Sequence, residues 1–520
     1  MKQFLQINSA DTVAVALQDQ PGIPAGHKFA LRDIASGEDV IKYGNPIGHA
    51  TRDIRKGELV DHHNIATNLS GTLNYDEVKR DSSSDSSFST LHSSSLRSGA
   101  DGTLFTFEGY PRPDGQVGIR NDIWVIPTVG CVNGICRQIV EKARKTLSLL
   151  PREGESLATL DSCALASPLP SREGSGVGLS YFPHNYGCSQ LGDDHENTRL
   201  ILRDMVLHPN AGGVLVVGLG CENNQPREFE KLLGDYDRQR IRFLICQEVE
   251  GDEVEAGVKI VKELYEQAQK DERVSVPISK LRVGLKCGGS DGFSGITANP
   301  LLGAFSDWLC AQGGTTILTE VPEMFGAEHL LMRRAISDEV LQDTIRLIND
   351  FKEYYLSHGQ PVGENPSPGN KAGGISTLEE KALGCTQKSG TSPVCGVLKY
   401  GETLTPESSG LHLLCAPGND LVASTALAAA GCQMVLFTTG RGTPFSTFVP
   451  TLKVSTNSDL AHRKPQWIDF NAGVLLEKQT MDETLHDFCQ LIIDVANGHP
   501  VHAEQAGTSE ISIWKNGVTL

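Results

Sequence analysis

From about residue 104 onward, strand-like and helix-like segments alternate, and this alternation limits the fold more than any other feature of the sequence. The strand-like IWVIPTV precedes the helix-like NGICRQIVEKARKTL, and the helix-like TRLILRDMVLH precedes the strand-like GVLVVGL. The same alternation continues through LRVGLK, LLGAFSDWLCAQ and QMVLFTTG to a last helix around ETLHDFCQLIIDVANG. Such a succession favours a mainly parallel sheet with helices on both faces. The pattern predicts an α/β protein with a larger, Rossmann-like body.

The first 69 residues follow a different pattern, in which short apolar segments are separated by Gly, Pro and Asn. This spacing is typical of a small β-rich domain. The phrases ALRDIASGEDV and ATRDIRKGELV are alike, and they predict two related half-units within that domain.

The rest of the chain divides by composition. Residues 70–103 are rich in serine and predict a linker, because they offer little apolar surface to bury. The α/β body then has a first part at 104–280 and a C-terminal part at 281–520. A low-complexity segment at 149–180 interrupts the first part. We expect it to be an exposed insertion, which makes Cys163 a poor active-site candidate.

Five segments of the chain run into a Gly-Cys or Cys-Gly step followed by small polar residues. Most of them read as buried strands that end in glycine-rich turns, and ligands bind at this carboxyl edge of open α/β sheets. Glycine allows close backbone approach, while thiols, amides and carboxylates supply ligands and hydrogen bonds. The turns predict a metal-capable active site, and they contain Cys131, Cys188, Cys221, Cys287 and Cys385.

Charge and cysteine content exclude several classes of protein. The net charge of −18 argues against a nucleic-acid or anionic-membrane partner. The 13 cysteines form an odd number without a CxxC pair, and the first residues do not read as a secretory signal. We therefore expect a cytoplasmic protein with reduced thiols. The uncharged stretch 421–437 is short for a membrane span. A dinucleotide-binding GxGxxG with its downstream acid and a phosphate loop are not evident, which favours a metal over a nucleotide.

The segment HNYGCSQLGDDHENTR is dense in chemically capable residues, among them His184, Cys188 and His195. A polar helix start is the alternative explanation for its two aspartates, Asp193 and Asp194, because acidic residues favour the first turn of a helix.

Two further glycine-rich turns carry candidate polar groups. Cys221 and Asn223 follow a clear strand, and Cys287 is followed four residues later by Asp291. An aspartate between glycines is equally readable as a turn residue.

Several cationic side chains lie in glycine-rich turns, where they can reach a bound carboxylate. A surface position is the alternative for each. The candidates are Lys371 with its neighbour Asn370, Lys388, Arg441, and Arg120 with Asn121. The pair His62 and His63 ends the first domain and is positioned to fold over a site on the body.

At these residues the chain resembles the altronate/galactarate dehydratase family. Matching phrases run through nearly the whole chain, including IKYGNPIGHA, YGCSQLGDDH, GLGCENNQ, CGGSDGFSGITANP, ENPSPGNKAGGISTLE and FTTGRGTPF. The resemblance implies a small N-terminal SAF (β-clip) domain, a linker and an α/β catalytic body. It also implies Fe²⁺-dependent dehydration of D-altronate to 2-dehydro-3-deoxy-D-gluconate in hexuronate breakdown.

Under this resemblance the candidate residues take roles in a β-elimination. A metal and nearby cations would stabilise the dianion that forms when C2 loses its proton. We expect Fe²⁺, with Mn²⁺ as a substitute, and an iron–sulfur cluster is the alternative. An oxygen and nitrogen ligand set from His and Asp is the other option for the metal. The expected metal ligands are Cys188, Cys221, Cys287 and His184. The expected catalytic residues are His195 or Lys371 as base, with Asp291, and the expected substrate contacts are Arg441, Lys388, Arg120, Asn121, Asn223 and Asn370.

Two other functions stay open at this point, a galactarate dehydratase of the same family and a sugar-acid binding protein without catalysis. In each case we expect a small sugar acid as ligand and a homodimer as the assembly.

Overall fold

The computed structural model describes residues 3–75, 78–81, 105–148, 176–477 and 479–520. Most of the predicted linker and of the predicted insertion, including Cys163, lies outside these residues. Within the described ranges, no helix has both the length and the apolar character that a membrane crossing requires.

The N-terminal domain consists of two small antiparallel sheets, in the orders β1-β2-β3-β6 and β4-β5-β7. The strands are β1 (Phe4–Leu5), β2 (Val13–Ala16), β3 (Lys28–Ala30), β4 (Asp39–Lys42), β5 (Asn45–Ala50), β6 (Leu59–Val60) and β7 (Ile65–Ala66).

The two half-units of this domain make equivalent contacts. Ile34 and Ile54 exchange backbone hydrogen bonds of 2.8 and 2.9 Å. Each half also has an Arg–Glu ion pair of 2.5 Å at the same spacing, Arg32–Glu38 in the first and Arg52–Glu58 in the second. The internal repeat predicted from sequence is therefore confirmed.

The first part of the body contains a parallel four-stranded sheet in the order β11-β10-β12-β13 and a small antiparallel sheet in the order β14-β8-β9. Its strands are β8 (Thr106–Pro111), β9 (Val117–Gly118), β10 (Asp122–Pro127), β11 (Leu179–Tyr181), β12 (Ala211–Gly218), β13 (Ile241–Ile245) and β14 (Val274–Pro277). Its helices are α1 (Asn133–Ser148), α2 (Gly192–Val206), α3 (Pro226–Leu232) and α4 (Glu253–Ala268).

The C-terminal part is built on a seven-stranded parallel sheet in the order β17-β18-β16-β15-β19-β20-β21. The strands are β15 (Arg282–Cys287), β16 (Thr315–Leu318), β17 (Val394–Leu398), β18 (Gly410–Leu414), β19 (Met434–Thr439), β20 (Thr451–Ser455) and β21 (Phe470–Asn471). The helices are α5 (Ala298–Ala311), α6 (Glu328–Met332), α7 (Asp338–Ser357), α8 (Pro368–Ala372), α9 (Leu378–Cys385), α10 (Asp420–Ala429), α11 (Ser458–Arg463), α12 (Met481–Ala496) and α13 (His502–Ala506).

Successive residues of β19 explain why helices cover both faces of this sheet. Side chains alternate between the two faces of a strand. Val435 joins the apolar core that contains Val422 of α10, whereas Leu436 joins the core that contains Leu302 of α5. All six residues of β19 are buried, as expected for a parallel strand packed on both sides. The predicted class, a small N-terminal β domain with a mainly parallel α/β body, is confirmed.

The N-terminal domain packs directly on the C-terminal part of the body. Its apolar core, which includes Val13 and Ile34, is continuous with Ala382 and Leu383 of α9. In addition, Lys28 and Lys42 each form a 2.8 Å ion pair with Glu380 of the same helix. These contacts place the small domain over one end of the seven-stranded sheet.

Candidate active site

A buried group of thiols and carboxylates lies where the central strands of the seven-stranded sheet end. Cys287 is the last residue of β15, Glu323 lies in the turn after β16, and Cys385 ends α9. The two Sγ atoms are 3.3 Å apart, and Oε2 of Glu323 is 3.0 Å from Cys287 Sγ and 3.1 Å from Cys385 Sγ.

Lysines surround this group, and we refer to the whole as the thiol–lysine cluster. Lys388 Nζ lies 2.8 Å from Cys287 Sγ and 3.2 Å from Glu320. Lys286 also contacts Glu320 and is 2.9 Å from Asp420. The third lysine, Lys381, is 2.7 Å from Glu323. The cluster consists of Cys287, Cys385, Glu320, Glu323, Asp420, Lys286, Lys381 and Lys388, so its three lysines face three carboxylates.

The pairing keeps these groups charged despite burial. Burial alone raises the pKa of Glu323, but Lys381 and Lys388 outweigh it and lower that pKa to about 2. For Lys388, burial lowers the pKa, and the neighbouring Cys287 and Glu320 raise it well above its usual value. A hydrogen bond with Cys287, together with burial, raises the pKa of the Cys385 thiol. The site therefore holds cationic lysines away from bulk water, where their electrostatic effect is strong.

A small cleft, partly open to solvent, lies beside the cluster, between the body and the N-terminal domain; we refer to it as the cavity. Its wall includes Lys42 and Tyr43 from the small domain, and Asp291, Lys381 and Cys385 from the body. In small-molecule sites, a few placed polar groups in a cleft fix the orientation of the ligand.

The predicted residue Asp291 forms part of this wall. Thr456 Oγ1 lies 2.9 Å from both of its carboxylate oxygens, and Ser294 and Asn457 also donate to the carboxylate. Burial raises its pKa, while these donors act in the opposite direction. Asp291 therefore ties together the loops that follow β15 and β20. The predicted Asn370 also reaches this wall, since its Nδ2 donates to the Ser290 carbonyl at 2.9 Å.

Two predicted cations lie at the same edge without an ion pair to a described residue. Arg441, in the loop after β19, is exposed and donates to the Gly369 carbonyl at 3.4 Å. Lys371 lies on α8 and is half-buried.

The predicted histidine pair of the N-terminal domain lies near Lys371. The pKa of His62 is lowered by burial, by His63 and, more weakly, by the charge of Lys371. This influence places the histidine pair near Lys371.

The structure does not bring every predicted residue to this edge. Cys188, Cys221 and Asn223 lie instead in loops at the carboxyl edge of the four-stranded sheet, where Asn223 accepts from the Ser189 amide at 2.8 Å. His184 lies there too, with Nε2 2.8 Å from the Pro127 carbonyl and Nδ1 accepting from the Tyr186 amide at 3.1 Å. Both ring nitrogens are engaged, so His184 orders its loop.

Arg120 and Asn121 lie at the opposite end of the four-stranded sheet, just before β10. Arg120 is buried in a 2.8 Å ion pair with Glu504 and donates to the backbone of Val495. Asn121 donates to the Ala268 carbonyl. Both residues therefore hold elements of the body together, and neither lies near the cavity. His195 lies in the first turns of α2 and does not line the cavity.

The donor set of the cluster fits a divalent metal. Among the described residues, two groups have at least three ligand atoms within 4.8 Å of one another: Cys287 with Glu323 and Cys385, and Asp61 with His62 and His63. Thiolates and carboxylates are both known ligands of divalent transition metals. Of the four predicted metal ligands, Cys287 belongs to the first of these groups. Cys188, Cys221 and His184 belong to neither.

Five residues of the cluster were not predicted from sequence. The role of Lys286 could have been recognised, because it is a charged residue inside the apolar run LRVGLK. The sequence around Glu320 and Glu323 was a weaker indication: the phrase TEVPEM follows a strand, as the glycine–cysteine turns do. Lys381 and Asp420 lie on helices, where charged residues are ordinarily solvent-exposed, and nothing local separates them from such residues.

Taken together, these features define an α/β enzyme that acts on a small polar substrate. Its cleft is closed by a separate β domain and lined by buried, paired charges.

Comparison with known proteins identifies the family. Residues 20–68 match the altronate/galactarate dehydratase SAF domain, residues 109–269 the second domain of D-galactarate dehydratase/altronate hydrolase, and residues 278–519 the D-galactarate/altronate dehydratase C-terminal domain. The chain is 52% identical to the altronate dehydratase of Bacillus subtilis (strain 168) and 49% identical to that of Escherichia coli (strain K12), in both cases over 100% of each chain. It is 33% identical to the galactarate dehydratase (L-threo-forming) of Escherichia coli (strain K12), over 95% of this chain and 93% of that protein. The chain belongs to the altronate/galactarate dehydratase family and is a hydro-lyase.

Proposed function

We propose that this protein dehydrates D-altronate to 2-dehydro-3-deoxy-D-gluconate. The observation that carries the proposal is the full-length identity of 52% and 49% to two altronate dehydratases, against 33% to a galactarate dehydratase. The cavity beside the thiol–lysine cluster provides the chemical setting for the elimination.

The reaction breaks the C2–H bond and the C3–O bond and releases water. The resulting enol becomes the 2-keto acid. Because the hydrogen on C2 is only weakly acidic, the site must stabilise the negative charge that builds up on the substrate carboxylate. Lys381 and Lys42 line the cavity as paired cations, and Arg441 at the edge is free to bind the carboxylate bidentately.

We assign the role of the base to Lys371. Of the two predicted bases, Lys371 lies at the edge of the seven-stranded sheet beside the cavity, and His195 does not. His62 is the alternative that the geometry adds, because burial lowers its pKa and favours the neutral imidazole that a base requires. We also keep Asp291 as a catalytic residue, because it lines the cavity.

We retain Fe²⁺ as the cofactor, with Mn²⁺ as a substitute, and assign Cys287, Glu323 and Cys385 as its ligands. When bound, the ion would supply Lewis-acid stabilisation of oxygen atoms that gain charge. We also expect the enzyme to act in the cytoplasm as a homodimer.

The direct test is an anaerobic assay with Fe²⁺ and a reductant, in which altronate and galactarate are supplied separately and 2-keto acid formation is followed. We expect turnover of altronate. Turnover of galactarate alone would contradict the substrate assignment. Binding of altronate without product would indicate a binding protein instead.

The Arg441→Met variant tests the carboxylate contact. Hydrogen bonds to charged groups contribute about 1.5–3 kcal/mol, so we expect a decrease in kcat/KM of roughly 10- to 100-fold. Arg463→Met is the matched control, because Arg463 is an exposed arginine on α11 and makes no ion pair with a described residue. Equal activity of the two variants would exclude Arg441 from the site.

A further inference from the structure

Three cysteines outside the thiol–lysine cluster share one exposed edge of the molecule. Cys131, Cys188 and Cys221 follow β10, β11 and β12, which are adjacent parallel strands in the four-stranded sheet. Of the twelve cysteines in the described ranges, these three are exposed, and the other nine are buried or half-buried. An exposed thiol gains little from packing, so three at one edge require another explanation.

The loops that carry the three thiols are fastened to one another. Gly130, next to Cys131, donates its amide to the Tyr186 carbonyl at 3.0 Å. Asn224 donates its amide to the Gly187 carbonyl at 2.9 Å. The loop of Cys188 is thereby bonded to the loops on both sides of it.

Further contacts fix the positions of the thiols. The Ser189 amide donates to Asn223 Oδ1 at 2.8 Å, and Gln247 Nε2 donates to Cys221 Sγ at 3.4 Å. The buried carboxylate of Glu222 accepts from Thr128 Oγ1 at 2.7 Å and from two amides of its own turn. The acid beside Cys221 therefore braces its loop, whereas Cys221 itself is exposed.

We propose that Cys131, Cys188 and Cys221 bind an iron–sulfur cluster. Thiolates are the ligands that hold such clusters in proteins. The histidine in these loops, His184, has both ring nitrogens engaged, so the ligand set consists of cysteines. With three thiolates, a four-iron cluster keeps one iron open to an external ligand.

The three thiols do not meet the requirement for binding a single ion. A single ion needs all its ligand atoms close together, and these three do not form a group within 4.8 Å among the described residues. A cluster places each thiolate on a different iron, so its sulfur ligands stand farther apart. The site is separate from Cys287, Glu323 and Cys385, and the inference does not depend on the proposed substrate.

The test uses the full-length protein, purified without oxygen. We expect acid-labile sulfide, at least as much iron as sulfide, and broad visible absorption that is bleached by dithionite. The variants Cys131→Ser, Cys188→Ser and Cys221→Ser should each lose most of the sulfide. Cys246→Ser is the matched control, because Cys246 follows β13 at the same edge but is half-buried.

Circular dichroism of each variant separates loss of the cluster from loss of the fold. Sulfide that persists in all three variants would overturn the proposal, and so would wild-type protein with iron but no sulfide. A disulfide between any two of these cysteines in the anaerobic protein would also overturn it. The variants Cys287→Ser and Cys385→Ser should keep their sulfide, which distinguishes this site from the ion proposed at the thiol–lysine cluster.

Discussion

The carboxyl edges of the two parallel sheets carry similar glycine–cysteine turns in opposite environments. At the seven-stranded sheet, Cys287 and Cys385 are buried among paired lysines and carboxylates. At the four-stranded sheet, Cys131, Cys188 and Cys221 are exposed, and hydrogen bonds between neighbouring loops hold the turns around them.

The covering layer accounts for the difference. The N-terminal domain packs on the first edge through Lys28, Lys42 and Glu380, which excludes water and makes charge pairing obligatory. Near the second edge, the described contact from elsewhere in the chain comes from the C-terminal residues, where the Leu520 amide donates to the Ser189 carbonyl. A glycine–cysteine turn thus locates a strand end, and the element that packs over it decides which chemistry the thiol can perform.

The largest effect should come from removing one lysine of the covered edge. In Lys388→Met, a side chain of similar length leaves Cys287 and Glu320 without one cation. Breaking a buried ion pair from one side costs about 3–5 kcal/mol, and we expect a loss of that order in the free energy of unfolding in urea. Activity should fall below detection, because the cluster loses its charge balance.

The matched control is Lys231→Met, which removes a lysine from the exposed pair with Glu228 on α3. We expect it to leave both stability and activity unchanged, because exposed pairs contribute little. Equal losses in the two variants would show that the environment of the covered edge is not what makes Lys388 important.

The second effect should come from loosening the cover itself. Glu380→Gln leaves Lys28 and Lys42 buried without a counter-charge, and we expect a destabilisation of about 3 kcal/mol. The readout is faster limited proteolysis between the N-terminal domain and the body. Glu38→Gln is the control, since its partner Arg32 is exposed. Unchanged proteolysis of Glu380→Gln would mean that the apolar contacts alone hold the domains together.

The same interaction sets an acid limit. Burial raises the pKa of Glu380, but Lys28 and Lys42 outweigh it, so the folded pKa lies well below the ordinary value of 4.5. The stabilisation is therefore present above the unfolded pKa and is lost as the pH falls through the folded one. In wild-type protein the domain contact should withstand pH 4.5, and it should weaken only in stronger acid.

The sequence predicted the fold because each element carries its own local signal. Buried runs such as β12 and β19, separated by helices with one apolar face, define a parallel sheet without reference to distant residues. The same signal placed Cys287, Asp291 and Lys388 at a strand end or in a glycine-rich turn, and the structure gathers all three at one edge.

Local patterns could not assign the strand ends to sheets. The predicted ligand Cys188 lies in the loop after β11, whereas Cys287 ends β15 in the other sheet, and neither segment indicates which sheet it joins. Pairing across the chain is equally hidden. Lys28 and Glu380 are separated by 352 residues, and each resembles a surface charge until the domains pack together.

The smallest effect concerns a buried charge in the part of the body that contains the four-stranded sheet, and this charge is less well compensated than those of the covered edge. Asp204, buried on α2, has one oxygen without a hydrogen-bond partner among the described residues, and its other oxygen is 2.6 Å from Arg203. Burial outweighs Arg203 and raises the pKa of Asp204 from 3.8 to about 8.

Because the folded pKa of Asp204 is the higher one, its contribution to stability is fully present below pH 3.8 and is lost as the pH rises towards 8. Asp204→Asn should remove this dependence, since an amide resembles the protonated acid. Relative to wild type, the free energy of unfolding of Asp204→Asn should rise by about 1 kcal/mol between pH 5 and pH 8. This is less than the full pKa shift would give, because the substitution also changes the free energy of the unfolded state. Urea unfolding at several pH values measures the difference, and Glu196→Gln, an exposed acid on the same helix, is the control. Parallel curves for Asp204→Asn and wild type would mean that Arg203 fully compensates the carboxylate, and the two regions would then not differ in how they satisfy buried charge.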